Sequence, residues 1–137
     1  MKIYEEIGDR NGEDSIITNI GNTYIMQEDY TMALDYYQRS LKICQEIGDK
    51  FISINTMYHN GKIYTDLGNY QKAVDYCKKS LSVSEEVGVL ATEKDACQCS
   101  YDSYKAMGKG NEALVYLEKI QEINGSLIAE ETAKKLQ

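Results

Sequence analysis

The amino-acid sequence predicts an all-α fold, a right-handed superhelical stack of antiparallel helix hairpins, and three observations predict it. The first is a repeat at 40 residues: Glu46-Ile47-Gly48-Asp49-Lys50 restates Glu6-Ile7-Gly8-Asp9-Arg10, and Glu86-Val87-Gly88 opens a third copy. Ile20-Gly21-Asn22-Thr23-Tyr24 returns as Asn60-Gly61-Lys62-Ile63-Tyr64, and Tyr30-Thr31-Met32-Ala33-Leu34 as Tyr70-Gln71-Lys72-Ala73-Val74. Such self-similarity is the signature of stacked units that cannot bury their apolar faces alone. The second observation is apolar spacing at helical period within each copy. The third is the absence of proline from the whole chain, which leaves helices unbroken, while glycine recurs where turns are needed.

The elements follow in order. Residues 1–10 read as the stub of a preceding repeat's second helix, because Met1 falls at the register of Leu41 and Leu81. The chain thus looks like a piece of a longer array, with Ile3, Tyr4 and Ile7 lacking a hairpin partner. Residues 13–50 form the first unit: Ile16, Ile17, Ile20, Tyr24 and Ile25 stripe one helix, and Ala33, Leu34, Tyr37, Leu41 and Ile43 the next. Only Glu28-Asp29 separates them, so the two helices must fold back as a hairpin. Residues 53–90 and 93–123 repeat the plan, with Gly68-Asn69 and Gly108-Lys109 as the links. Gly48 and Gly88 close the second helices. Residues 125–137 read as a further helix that caps or links the array: Ser126 is its N-cap, acids come early, and lysines come late. Leu127, Ile128 and Leu136 are expected to lie against the last hairpin.

Small residues stand where paired helices approach: Gly21 and Gly61 on first helices, Ala33, Ala73 and Ala113 on second ones. Tyr24, Tyr64 and Tyr104 are expected to fill the hairpin seams. Twelve tyrosines against one Phe and no Trp favour rings that pack on one side and leave a hydroxyl at a wet edge.

Several function classes lose support. A net charge of −7 argues against nucleic acid, whose binding is driven by Lys and Arg releasing counterions. No apolar run is long enough to insert in a membrane, and the N-terminal residues lack the apolar core of a secretion signal. As written the chain reads as cytoplasmic. Cys44, Cys77, Cys97 and Cys99 read as small buried thiols; Cys97 and Cys99 lie about 200° apart around a helix and cannot share one metal ion. Cys77 and Cys97 belong to consecutive helices, but the sequence assigns no disulfide between them. His59 has no motif partner for a catalytic triad, and Asp9-Arg10-Asn11-Gly12-Glu13 lacks the alternating ligands of a calcium loop. No catalysis, cofactor or metal is expected.

Ile17, Ile20-Gly21, Tyr24, Tyr30, Ala33, Tyr37 and Ser40 resemble the tetratricopeptide repeat (TPR) pattern. The second copy gives Met57, Asn60-Gly61, Tyr64, Tyr70, Ala73, Cys77 and Ser80; the third gives Cys97, Ser100-Tyr101, Tyr104, Gly110, Ala113, Leu117 and Ile120. The 40-residue unit is similar to that of kinesin light chains, spindle-orientation adaptors and bacterial TPR sensor kinases. The resemblance implies a groove walled by the first helix of each unit. Its inward positions fall on Ser15, Thr18, Asn22, Ile25 and Met26, then Asn55, Tyr58, Lys62, Thr65 and Asp66, then Asp95, Gln98, Asp102, Lys105 and Ala106. Of these, Asn22, Met26, Tyr58, Lys62, Asp66, Gln98, Asp102 and Lys105 are the candidate partner contacts. Thr18, Asp95 and Cys99 stand where the family's carboxylate clamp has basic residues, so the expected partner is a protein or peptide segment of basic or apolar character. The second reading is a regulatory segment of a bacterial signalling protein, a histidine kinase or transcription regulator, acting through dimerisation or end-to-end stacking. Under it the array is periplasmic or cytoplasmic according to its parent.

Overall fold

A computed structural model of the chain describes the backbone of residues 2–136 and side chains from residue 12 onward. Six helices follow one another: α1 (Lys2–Met26), α2 (Tyr30–Ile47), α3 (Lys50–Asp66), α4 (Tyr70–Val87), α5 (Leu90–Ala106) and α6 (Gly110–Lys135). Consecutive helices pair as α1–α2, α3–α4 and α5–α6. The backbones of the first helices also approach across hairpins, α1 to α3 and α3 to α5, whereas α2 and α4, and α4 and α6, meet only through long side chains, Gln38 with Tyr76 and Glu85 with Lys119. The stack is therefore curved, with α1, α3 and α5 on the inner side.

The turns explain why the hairpins form. Within hairpins, Glu28, Gly68 and Gly108 adopt left-handed φ of 59°, 78° and 74°. The next residue then starts the following helix: Asp29 accepts from the Met32 N–H and Asn69 from the Lys72 N–H, satisfying donors the helix leaves open. Between hairpins, Gly48 and Gly88 end α2 and α4 with φ of 75° and 77°, and their N–H groups donate to the Cys44 and Ser84 carbonyls. Asp49 caps α3 through the Ile52 N–H.

Packing follows the small-residue register. Ala33 and Ala73 are fully buried and Ala113 nearly so. A Cβ on Gly21 would lie 2.7 Å from Cε1 of Tyr37, and one on Gly61 would lie 2.5 Å from Sγ of Cys77, so both helices approach at a distance only glycine allows. Burying the Tyr37 ring contributes about 2–3 kcal/mol. Each hairpin seam carries a stacked tyrosine pair, Tyr24 on Tyr36, Tyr64 on Tyr76 and Tyr104 on Tyr116, with centroids 5.6–5.7 Å apart. The seam position expected for the first tyrosine of each pair holds; its partner on the second helix completes it.

Three expectations are corrected. Residues 2–10 are not separated from the first hairpin: α1 runs through Gly8 and Gly12 without a break. One helical glycine costs only about 1 kcal/mol, and each further residue of helix adds a backbone hydrogen bond, so glycine alone does not enforce a stop. The side chains of Ile3, Tyr4 and Ile7 lie outside the described residues. Residues 125–135 are likewise the end of α6 and not a new helix, since Gly125 stays helical, and residue 137 lies outside the described residues. Ile128 and Leu136 are 64% and 83% exposed, so this end does not fold back to cap the last hairpin. Finally, Cys77 is joined to Cys99 as a disulfide, while Cys44 and Cys97 are free and buried.

Candidate functional site

The inner side of the stack holds two adjoining chambers. One, of about 390 Å³, lies between the first and second hairpins and is lined by Asn22, Ile25, Met26, Tyr30, His59, Lys62, Ile63 and Asp66. The other, of about 350 Å³, lies between the second and third and is lined by Tyr58, Lys62, Thr65, Asp66, Gln98, Cys99 and Asp102. Lys62 and Asp66 belong to both, because they sit one turn apart on α3 and face the groove between its neighbours. The two chambers thus form one trough with a shared rim.

The first chamber is the more apolar. Met26 stands at the end of α1 with 86% of its surface exposed, above Ile25 and Ile63. Its floor is aromatic: His59 stacks on Tyr37 with centroids 5.7 Å apart and planes 12° from parallel. The Tyr37 hydroxyl donates to Oδ1 of Asn22, which fixes that side chain at the wall. Burial, and then the Lys62 charge, hold His59 below its usual value. Neutral imidazole therefore faces the trough at neutral pH.

The second chamber is the more polar of the two and is lined by two carboxylates, Asp66 and Asp102. The Asp66 carboxylate accepts from the Tyr30 hydroxyl at 3.3 Å, and its charge is the main reason the Tyr30 phenol titrates above its ordinary range. Asp102 accepts from Nε2 of Gln98 at 3.0 Å. Among the described residues neither carboxylate is ion-paired. Lys62 is held over the Tyr58 ring, 5.4 Å from its centroid.

Seven of the eight candidate contacts, Asn22, Met26, Tyr58, Lys62, Asp66, Gln98 and Asp102, line these chambers. Lys105 does not; it lies over the Tyr101 ring, 5.7 Å from its centroid. Thr18, one of the inward positions by register, is buried instead and shares a 2.7 Å hydrogen bond with Ser40. Four lining residues, Tyr30, His59, Ile63 and Cys99, lay outside the register count. Tyr30 enters from the start of α2, while His59 and Cys99 share one register position on α3 and α5. That shared register was the available signal, since 99 lies 40 residues beyond 59.

A curved helix-hairpin stack with a trough on its inner side defines a class of protein, the interaction scaffold. Family models described as Tetratricopeptide repeat match residues 16–46 and 54–87. The chain belongs to the tetratricopeptide repeat family, whose arrays are protein–protein interaction modules and typically non-enzymatic. Among solved structures, the TPR domain of Arabidopsis FLU is similar with a TM-score of 0.78 at 16% identity, covering 85% of this chain and 98% of that one. The N-terminal domain of stress-induced protein-1 from C. elegans gives a TM-score of 0.70 at 14% identity, covering 84% and 97%. No curated protein matches the chain. No helix among the described residues is long and apolar enough to cross a membrane.

Proposed function

We propose that the trough holds a segment of a partner protein, with an apolar side chain in the chamber beside Met26 and a Lys or Arg between Asp66 and Asp102. The observation that carries this reading is the continuity of the two chambers through Lys62 and Asp66. An apolar well and two carboxylates without a cation stand side by side on one wall. A basic side chain there gains charge-assisted hydrogen bonds, and Tyr58 offers its ring face to a guanidinium. A displayed peptide library selected on the protein tests it. Selected peptides are expected to carry an apolar residue close to Lys or Arg, and Asp66→Asn with Asp102→Asn should weaken them about tenfold or more. Selection without basic residues, or affinity unchanged in the double variant, rules the reading out.

A second reading rests on a different observation. Leu114 is 50% exposed, although Val74 at the same register of the preceding hairpin is 1% exposed; Ile16 is 61% exposed where Thr56 and Ala96 are fully buried. Both end faces thus present apolar residues at positions that neighbouring hairpins cover elsewhere in the stack. Stacking of copies through these faces is how the array would serve as the regulatory segment of a bacterial signalling protein. Leu114→Glu should then shift sedimentation toward monomer, and a wild-type protein that stays monomeric at high concentration removes this reading.

A further inference from the structure

Cys77 on α4 and Cys99 on α5 are joined with their Cα atoms 5.9 Å apart, inside the usual span of a disulfide. The bond ties the second hairpin to the third beneath the chamber that holds Tyr58 and Asp102. Cys99 is 7% exposed and lines that chamber, whereas Cys77 is fully buried. Both sulfurs lie against Gly61, whose missing side chain makes room for them. An order of access follows: a small molecule entering the trough meets Cys99 first and Cys77 only behind it. The other cysteines do not compete. Burial pushes the Cys44 thiol up to about 12 and the Cys97 thiol up to about 11, so both stay protonated at neutral pH.

We propose that Cys77 and Cys99 form a reversible redox modification site, in which a low-molecular-weight disulfide reacts with Cys99 through the trough and Cys77 resolves the adduct. In the oxidising direction Cys99 loses its proton and its sulfur attacks one sulfur of the small disulfide. That S–S bond breaks, and the leaving thiolate takes up the proton. Cys77 then loses its proton and attacks Cys99 Sγ, releasing the second small thiolate, which is protonated in turn. Two protein thiols are thereby oxidised by two electrons, and one small disulfide is reduced to two thiols; excess small thiol drives the reverse. The consequence is mechanical. The closed bond fixes α5 against α4, and opening it frees the wall that carries Gln98 and Asp102. This site does not depend on which segment the trough holds.

The test equilibrates the whole protein with mixtures of reduced and oxidised glutathione, quenches in acid, and counts alkylated thiols by peptide mass under denaturing conditions. Two of the four cysteines should become protected as the oxidised share rises, with the fragments containing Cys77 and Cys99 linked. Cys99→Ser should abolish the link and Cys97→Ser should keep it, since the two share a proteolytic fragment. Reduction should lower the melting temperature by roughly 10 °C, and by nothing in Cys99→Ser. Four alkylated cysteines at every mixture overturn the proposal, as do a glutathione adduct that persists on Cys99 and a link that maps to Cys97. The count on the unaltered protein decides the matter even where a variant fails to fold.

Discussion

Substituting Gly21 and Gly125 by alanine separates two roles of helical glycine that composition alone treats as one. Both lie inside helices, α1 and α6, and alanine at either gains about 1 kcal/mol of helix propensity. Around Gly125 nothing lies within 4 Å of an added Cβ, so that gain should appear whole, as about 1 kcal/mol of added stability. At Gly21 the same atom would stand 2.7 Å and 2.9 Å from two carbons of the Tyr37 ring. That ring has nowhere to retreat: it is fully buried, hydrogen-bonded to Asn22 and stacked on His59. Overpacking of this kind costs about 1–3 kcal/mol, and the clash is severe enough to place it in the upper half of that range. Gly21→Ala should therefore lose about 1–2 kcal/mol net, a difference of about 2–3 kcal/mol between the two variants. Urea denaturation followed by circular dichroism measures both, with an unchanged slope confirming that the folded state is the one affected. Equal shifts, or a stabilised Gly21→Ala, would refute the close approach of α1 and α2 at this point.

Three further substitutions read the backbone and the buried charge. Glu28 has a left-handed φ of 59° where Gly68 and Gly108 stand at the same register, so Glu28→Gly should stabilise the protein by about 0.5–1 kcal/mol and Gly68→Ala should cost about 1 kcal/mol in thermal melts. Asp14 is fully buried with Oδ1 unpartnered, and its carboxyl is held above the ordinary range, first by burial and then by the neighbouring Asp49 carboxylate. A carboxyl raised in the folded state contributes its stability below the unfolded value of 3.8 and loses it as pH rises through the folded value, so at neutral pH the ionised group is a cost. Asp14→Asn should then gain about 1–2 kcal/mol at pH 7, with the advantage fading toward pH 4 in denaturation curves.

The hairpin plan was legible because it is a property of spacing. Glycine at 48, 68, 88 and 108 marks a turn wherever it appears, and alanine at 33, 73 and 113 marks a helix crossing. The trough was legible in part for the same reason, since counting along first helices reaches Asn22, Lys62, Asp66 and Asp102 without knowledge of their neighbours. Counting fails where the neighbour decides. Thr18 leaves the wall because Ser40 offers it a buried hydrogen bond, and Tyr30 joins the wall because its hydroxyl reaches Asp66, 36 residues away. The partner of Cys77 was not legible on similar grounds: Cys97 packs beside Leu81 of α4 and Cys99 beside Cys77, and only the packing shows which of them meets the sulfur.

The two hairpin junctions show how one register can hold different chemistry. Residues 22 apart close both: Tyr37 meets His59 at the first, and Cys77 meets Cys99 at the second. Each sits against the glycine of its own hairpin, Gly21 beneath a ring and Gly61 beneath two sulfurs. The third unit departs from this plan, with Tyr101 at the glycine position and Leu117 at the position of Tyr37 and Cys77. At the two glycine crossings close packing is kept while the pair above the glycine differs, a tyrosine and a histidine at one and two cysteines at the other. Because His59 and Cys99 also line the two chambers, the residue chosen to close a junction becomes the floor of the trough above it. A segment held in the trough as proposed would meet a titratable ring in one chamber and a sulfur in the next. His59 and Cys99 therefore close the junctions and line the trough at once, while Tyr37 and Cys77 stay buried behind them.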